Sequence, residues 1–383
     1  MNEEIVVLAE NDFDESLAVK NKAFGKQPPG FATLLPLLYR PEAGGLEFAI
    51  RRDGRICALI GIFEMTWHLS GQRLRVGGIG GVATLPEFRG QGLMRRLMHH
   101  CLTVMRDDGI DLSWLGGQRQ RYGYFGYERC GINYTFTISA TNLRHGGAGS
   151  AALAVHPLDA DLVPFAQSLN ESLVHHVPRS LEDFDRRCRS WHNRPYVVIA
   201  AGAPIGYLIA TPDAGAIVEL VPGPGVDAAD LVRAWIESGP EGDHPGQRSV
   251  RVDVDPADAE TVRSLETISE GSSVTASGNW QIFRWARVLD VLLRARGRLG
   301  AMAPGRLILD AGEPANLELT VDASGAGCAE TTAAADYACN PLLATRLLFG
   351  PLTPAAVASL PPAAGALLSW SPLPLGWRRQ DGV

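Results

Sequence analysis

Arg89, Gly90, Gln91, Gly92, Leu93 and Met94 form a short run whose types and spacing suit one task, holding a phosphate. A helix leaves its first N–H groups without partners and carries partial positive charge there. A loop stripped of side chains in front of it therefore lets an anion reach the backbone. The spacing excludes better-known phosphate loops: GxxxxGK[ST] is absent, and Gly90 and Gly92 supply only the first half of a GxGxxG. What fits is an Arg-x-x-Gly pattern running on into Leu93 and Met94. A second cluster with chemical potential lies at Asp111 to Tyr127, DLSWLGGQRQRYGYFGY. There an apolar strand gives way to a Gly-Gly break, a basic turn, and then Tyr122-Gly123-Tyr124-Phe125-Gly126-Tyr127.

The elements that must hold these residues are legible on either side. Val76 to Met98 reads as a Gly-punctuated apolar strand, a turn with Pro86, the glycine loop, and a helix. That helix, Gly92 to Asp108, aligns Leu93, Leu97, Cys101 and Val104 on one face with Met94, Met98 and Met105 beside them, a core stripe. His99 and His100 have no acidic or Cys partner at metal spacing, so no metal is expected. Upstream, Glu4–Ala9 reads as a strand, Asp14–Phe24 as a helix, and a second helical piece ends near Tyr39. Glu47–Arg52 and Ile56–Trp67 form a hairpin about Asp53-Gly54.

Strand, helices, three antiparallel strands, glycine loop, helix, strand is an order that, with Arg89 to Met94, resembles the GNAT N-acetyltransferases. The form RYGYFGY is similar to the enhanced intracellular survival branch of that family. The resemblance implies an α/β (α+β) fold of tandem GNAT domains with mixed, mostly antiparallel sheets and a sterol-carrier-like C-terminal domain. It implies acetyl-CoA as cosubstrate, with its pyrophosphate on Arg89 to Met94. Its pantetheine would run along backbone near Val82, Ala83 and Thr84, whose N–H groups can also polarise the thioester. The acetyl group would pass directly to a primary amine of a cationic small molecule or a lysine. Tyr122 would return a proton to the leaving thiolate, a task suited to a hydroxyl of ordinary pKa near ~10. The base would be the α-carboxylate of Val383. Relatives usually end in an aromatic and this chain ends in Gly-Val, so Asp381 is the alternative base, and a frayed terminus the bland one. Glu64 and Trp67 are further candidates to face the amine. The family also implies a homo-oligomer, often a hexamer.

The resemblance divides the chain into 1–145, a catalytic GNAT domain, 146–277, a degenerate second one, and 278–383, the sterol-carrier-like domain. Leu143 to Ser150, rich in Gly and Ser, reads as a linker. Beyond it the strand and helix order of the first domain recurs, but Pro222-Gly223-Pro224-Gly225 stands where RGQG would be. Its prolines remove backbone donors and no Arg follows, so phosphate chemistry is not expected there. In the closing region Trp280–Arg287 reads as a strand, Val288–Arg296 as a helix, and Pro341–Phe349 as another.

Composition sets bounds. At 383 residues the chain exceeds one ordinary domain. A net charge of −7 argues against nucleic acid as partner and would attract cations, although plain solubility explains it equally. Six cysteines show no metal spacing, the N-terminus has no signal-peptide pattern, and no run is long enough to span a bilayer. A cytoplasmic protein with no membrane partner is expected. The rival reading is a non-catalytic CoA-binding or lipid-binding regulatory protein.

Overall fold

The computed structural model describes residues 3–43, 45–145, 153–238 and 249–383. The expected linker at 143–150 lies mostly outside them, its first three residues ending the short helix Ala140–His145. In chain order come β1 (Ile5–Val7), α1 (Phe13–Ala23), β2 (Leu46–Arg52), β3 (Arg55–Leu69), β4 (Gln72–Thr84), α2 (Leu93–Asp107), β5 (Leu112–Leu115) and β6 (Glu128–Cys130). Next are β7 (Asn133–Ser139), β8 (Leu153–Pro157), α3 (Val163–Ser172), β9 (Arg194–Ala200), β10 (Ala203–Ala210), β11 (Ala216–Pro222), α4 (Ala228–Ser238), β12 (Ser249–Val254), α5 (Ala259–Glu266) and β13 (Gly271–Thr275). The chain goes on through β14 (Gly278–Ile282), α6 (Trp285–Leu299), β15 (Gly305–Asp310), β16 (Asn316–Asp322), β17 (Gly325–Thr331) and α7 (Pro341–Phe349). The fold is mixed α/β with mostly antiparallel sheets. Its residues group into two compact units, Met1–Cys130 with Gly278–Leu373 and Gly382–Val383, and Gly131–Ser277 with Pro374–Asp381.

In the first unit one sheet runs β1-β2-β3-β4-β5-β14-β6. Asp53 and Gly54 both take positive φ, as a two-residue hairpin turn between right-twisted strands requires. β4 and β5 pair in parallel, so the chain must cross over between them, and α2 is that crossover. Leu93, Leu97, Met98, Cys101, Leu102 and Met105 of α2 are buried with Phe48, Ile60 and Ile79, so the Leu and Met stripe is core. His99 and His100 pack edge-on against Phe125 and Phe48. Among the described residues no cluster of His, Cys, Asp or Glu is arranged for a metal, and no helix is long and apolar enough to cross a membrane.

β14 inserts between β5 and β6, setting Trp280 opposite Trp114 and Glu128. The strand expected to run to Arg287 ends at Ile282, and the helix starts at Trp285. The reason is burial: Trp285, Val288, Leu289, Leu292 and Leu293 recur at helical spacing and all face the core. A separate sheet, β17-β16-β15, is antiparallel, and α6 packs against β17 and β16.

The second unit repeats the strand and helix order, with a sheet β13-β7-β12-β11-β10-β9-β8 and a parallel β11/β12 pair joined through α4. The segment Pro374–Asp381 is part of this unit. The Leu375 carbonyl accepts from Ile132 N–H and Ser277 Oγ at 2.9 and 3.0 Å. Gln380, wholly buried, donates to the Arg187 and Cys188 carbonyls and accepts from Asn193. Arg179 makes two 2.7 Å bonds to Glu219 and reaches Asp381 at 3.2 Å, with all three side chains at most 2% exposed. Burial opposes the charge on Glu219, but the Arg179 guanidinium and the Tyr207 hydroxyl prevail and hold its carboxyl down at about 2.

Removing Arg179 would strand two buried carboxylates. Arg179→Met is expected to cost about 3–5 kcal/mol of stability, read from chemical denaturation. Because the folded Glu219 pKa lies below 4.5, its contribution is complete above about pH 4.5 and is lost as pH falls towards about 2. Native melts between pH 6 and 2 should show that decline, and the variant should show a shallower one.

Candidate active site

The site starts from an irregularity in β4. Leu59 pairs with Ala83, but Gly61 pairs with Gly80, so β4 carries one extra residue, with Gly81 at φ 59°. Such a bulge bends a strand and increases its twist, and glycine accepts the left-handed conformation without Cβ strain. β4 pairs with β5 only from Val76 to Gly78, opposite Leu112 to Trp114. Beyond that point the strands part.

In the first unit, a cavity of about 540 Å³ is lined by Val82, Thr84, Arg89, Gly90, Gln91, Gly92, Leu93 and Met94. Ala23, Phe24, Phe88 and Arg121 complete its wall. Ala83 differs from its neighbours: its side chain is buried with Val19, Ile56 and Leu59, leaving only its backbone on the cavity strand. Gly92 is the N-cap of α2 at φ 75°, and no side chain caps the helix. The first N–H groups of α2 are thus left for a ligand, with the positive end of the helix behind them.

Arg89 donates to the Thr84 and Ala23 carbonyls at 3.3 and 3.0 Å, tying the loop to the ends of β4 and α1. It supplies charge at the cavity wall while acting as a latch. Gln91 accepts a 2.6 Å bond from Arg52. Both contacts fix the loop before any ligand arrives.

Tyr122 closes the short helix Arg119–Tyr122 and is 7% exposed, its ring 6.4 Å from Tyr127. Burial pushes its hydroxyl pKa above the ordinary value, with the Arg121 charge partly opposing. Arg121, not Tyr122, lines the cavity. Tyr127 is bonded to Ser113 at 2.7 Å and serves packing, whereas Tyr124 stands 89% exposed.

Val383, 9% exposed, lies on β4 where the strands begin to part. A Cβ built on Gly78 would meet its Cγ2 at 2.8 Å, and one built on Gly80 would meet its carboxyl carbon at 3.2 Å. The terminus is therefore seated, not frayed. Asp381, the alternative base, is bonded to Arg179 and buried. Glu64 is exposed and paired with Arg75 at 2.7 Å, while Trp67 is buried and stacked on Trp280.

The second glycine-proline stretch is built differently. Asp227 accepts from Ala229 N–H at 3.0 Å and Asp258 from Thr261 N–H at 3.1 Å, so carboxylates already occupy the helix starts. A cavity of about 750 Å³ there carries four carboxylates, Asp227, Asp255, Asp258 and Glu260, against two guanidinium groups, Arg263 and Arg378. An incoming phosphate would meet negative charge.

Residues 4–130 match the family described as an acetyltransferase (GNAT) domain. The chain carries a GNAT acetyltransferase domain, the domain of an acyl-transferring enzyme. No curated protein matches the sequence. Among solved structures, a GCN5-related N-acetyltransferase from Anabaena variabilis is 18% identical, with 98% of each chain covered and a TM-score of 0.69. One from Kribbella flavida is 20% identical over 98% of each chain, with a TM-score of 0.67. Eis1 from Mycobacterium abscessus is 14% identical, with 99% of this chain and 100% of that one covered and a TM-score of 0.66. At these identities the likeness is one of fold, and it extends beyond the GNAT domain to the whole chain.

Phe24 and Phe88 of the cavity wall were not anticipated from the sequence, whereas Arg121 belongs to the local cluster of basic residues expected around the anionic cofactor. Arg121 had a signal in the basic turn before Tyr122, but Phe24 is a single aromatic at a helix end. If the loop of the GNAT domain grips a pyrophosphate through its backbone, Gly92→Ala should let the free loop relax out of a left-handed φ that costs about 1–2 kcal/mol with a Cβ, so that restoring it on binding weakens CoA affinity about tenfold. Titration calorimetry with CoA reads this directly.

Proposed function

We propose that the protein transfers the acetyl group of acetyl-CoA directly to a primary amine of a cationic small molecule or a lysine. The observation that carries this reading is the coincidence of three features in one unit: the uncapped start of α2, the bulge at Gly81, and Val383 lying over Gly78 and Gly80. The first suits a pyrophosphate, the second opens backbone for the pantetheine and the thioester carbonyl, and the third brings a carboxylate to the same strand.

In the reaction the amine nitrogen attacks the thioester carbonyl carbon. The N–C bond forms, the C–S bond breaks, and the electron pair leaves on sulfur. The Val383 carboxylate takes the proton lost by nitrogen, and Tyr122 gives one to the thiolate; solvent restores both. Tyr122 suits donation because its pKa lies above the ordinary 10.0, so it is protonated at neutral pH.

By the same reading residues 1–145 are the catalytic domain, 146–277 a second GNAT-like domain without acetyl-CoA, and 278–383 a sterol-carrier-like domain. The repeated strand order and the carboxylate-capped helix starts of the second unit support the middle assignment. A cytoplasmic homo-oligomer completes the reading.

Thiol release from acetyl-CoA, followed across an amine panel, tests it. Tyr122→Phe and a chain lacking residues 382–383 should each lower kcat by about 10²-fold or more while still binding CoA. Unchanged turnover in both would remove the acid and the base. The regulatory rival predicts CoA binding by the native chain with no product from any amine.

A further inference from the structure

Asn279 lies in β14 with β5 on one side and β6 on the other, and it is 3% exposed. An amide is a poor choice there, because asparagine is a weak strand former and its polar atoms need partners once buried. Its Nδ2 donates to the carbonyls of Leu115 and Gly117 at 3.3 and 3.1 Å. Leu115 is the last residue of β5 and the ladder partner of Asn279, whereas Gly117 lies two residues beyond that ladder. The side chain thus extends the grip of β14 past the end of the sheet and into the Gly-Gly break. Its Oδ1 is buried without a hydrogen-bond partner, so only the donors are in use.

Gly117 is what Tyr122 rests on. It takes φ 117°, a conformation open to glycine, and a Cβ built on it would meet Tyr122 Cε2 at 2.9 Å. The tyrosine ring therefore lies directly against this α-carbon. Its helix, Arg119–Tyr122, has four residues and is anchored by Arg119 on Glu128 at 2.9 Å, with Arg121 at the edge of the cofactor cavity. Tyr127, held by Ser113 at 2.7 Å, gives the ring an edge contact at 6.4 Å. These supports are local, whereas Asn279 reaches Gly117 from 162 positions along the chain.

We propose that Asn279 is a positioning residue for acetyl transfer: by holding the Gly117 carbonyl it fixes the seat of the Tyr122 ring, and with it the place where the hydroxyl meets the leaving sulfur. This rests on the acetyl-transfer reading above and gives the inserted strand a part in it. The proton still passes from the Tyr122 O–H to the thiolate as the C–S bond breaks, and Asn279 exchanges nothing. Without the amide, the Gly117 carbonyl loses a partner and a glycine has no side chain to oppose its rotation. The ring then spreads over positions of which few aim the hydroxyl at sulfur. A displacement of about 1 Å in a reacting group can cost on the order of 10²-fold in rate, and a support at one remove is expected to cost about tenfold.

The test measures thiol release from acetyl-CoA by the full chain, with an amine that the native protein turns over. Asn279→Ala should lower kcat about tenfold, leave KM for acetyl-CoA unchanged, and cost nothing further in a chain that already carries Tyr122→Phe. A merely structural residue would take the same factor from both backgrounds. Gly117→Ala displaces the ring from the other end of the same contact and should show the same dependence on the Tyr122 hydroxyl, which keeps the test open should Asn279→Ala fail to fold. Native kcat in the variant that folds, or an equal loss with and without the hydroxyl, would overturn this inference and leave the acetyl-transfer reading intact. A Tyr122→Phe chain that matches the native one would overturn the acid and this inference with it.

Discussion

One surplus residue in β4 governs the chemistry available to the first unit. A regular β4 would continue its ladder beside β5, and its backbone groups would be consumed in pairing. The extra residue at Gly81 and Val82 bends the strand, so pairing ends at Gly78 and Trp114. The remaining residues of β4 run on to the cavity and deliver the chain to the glycine loop. The cost of an interrupted sheet is offset around it by Ala83, Leu59, Ile56 and Val19, which bury the opposite face of the same bend.

The two glycine-rich turns show how little separates a ready anion site from a closed one. Both precede helices that pack on sheets of like order. In the first, Gly92 caps α2 with no side chain, so the helix start remains unspent. In the second, Asp227 fills the equivalent demand at the start of α4 from within the protein, and carboxylates outnumber guanidinium groups in the cavity beside it. The difference is a matter of which group satisfies the first N–H donors, not of backbone architecture.

Periodicity and turn chemistry made much of the fold readable in the sequence. The hairpin at Asp53-Gly54, the α2 core stripe and Pro341–Phe349 follow from local rules that tertiary packing had no cause to override. The start of α6 did not, because Trp280 to Arg287 is apolar enough for either period and only burial of Trp285 decides. Likewise the glycine loop announced itself by spacing, while Tyr39 and Phe24 did not. Both lie in the poorly periodic stretch between α1 and β2. Phe24 shares a cavity with Val82 and Thr84, and the Tyr39 hydroxyl lies beside Gly80 and Gly81, neighbours some forty to sixty positions later that no local pattern encodes.

The insertion of β14 between β5 and β6 bears on biogenesis. These neighbours are separated by about 150 residues of intervening chain. A ribosome that has released residue 130 has therefore exported β1 to β6, yet β5 and β6 still lack the strand that joins them. Their open edges must wait for the intervening unit to emerge, a high contact order that slows closure and leaves pairing groups exposed meanwhile. The N-terminal third of this chain therefore carries an unfinished sheet through the synthesis of the whole intervening unit, however compact it becomes afterwards.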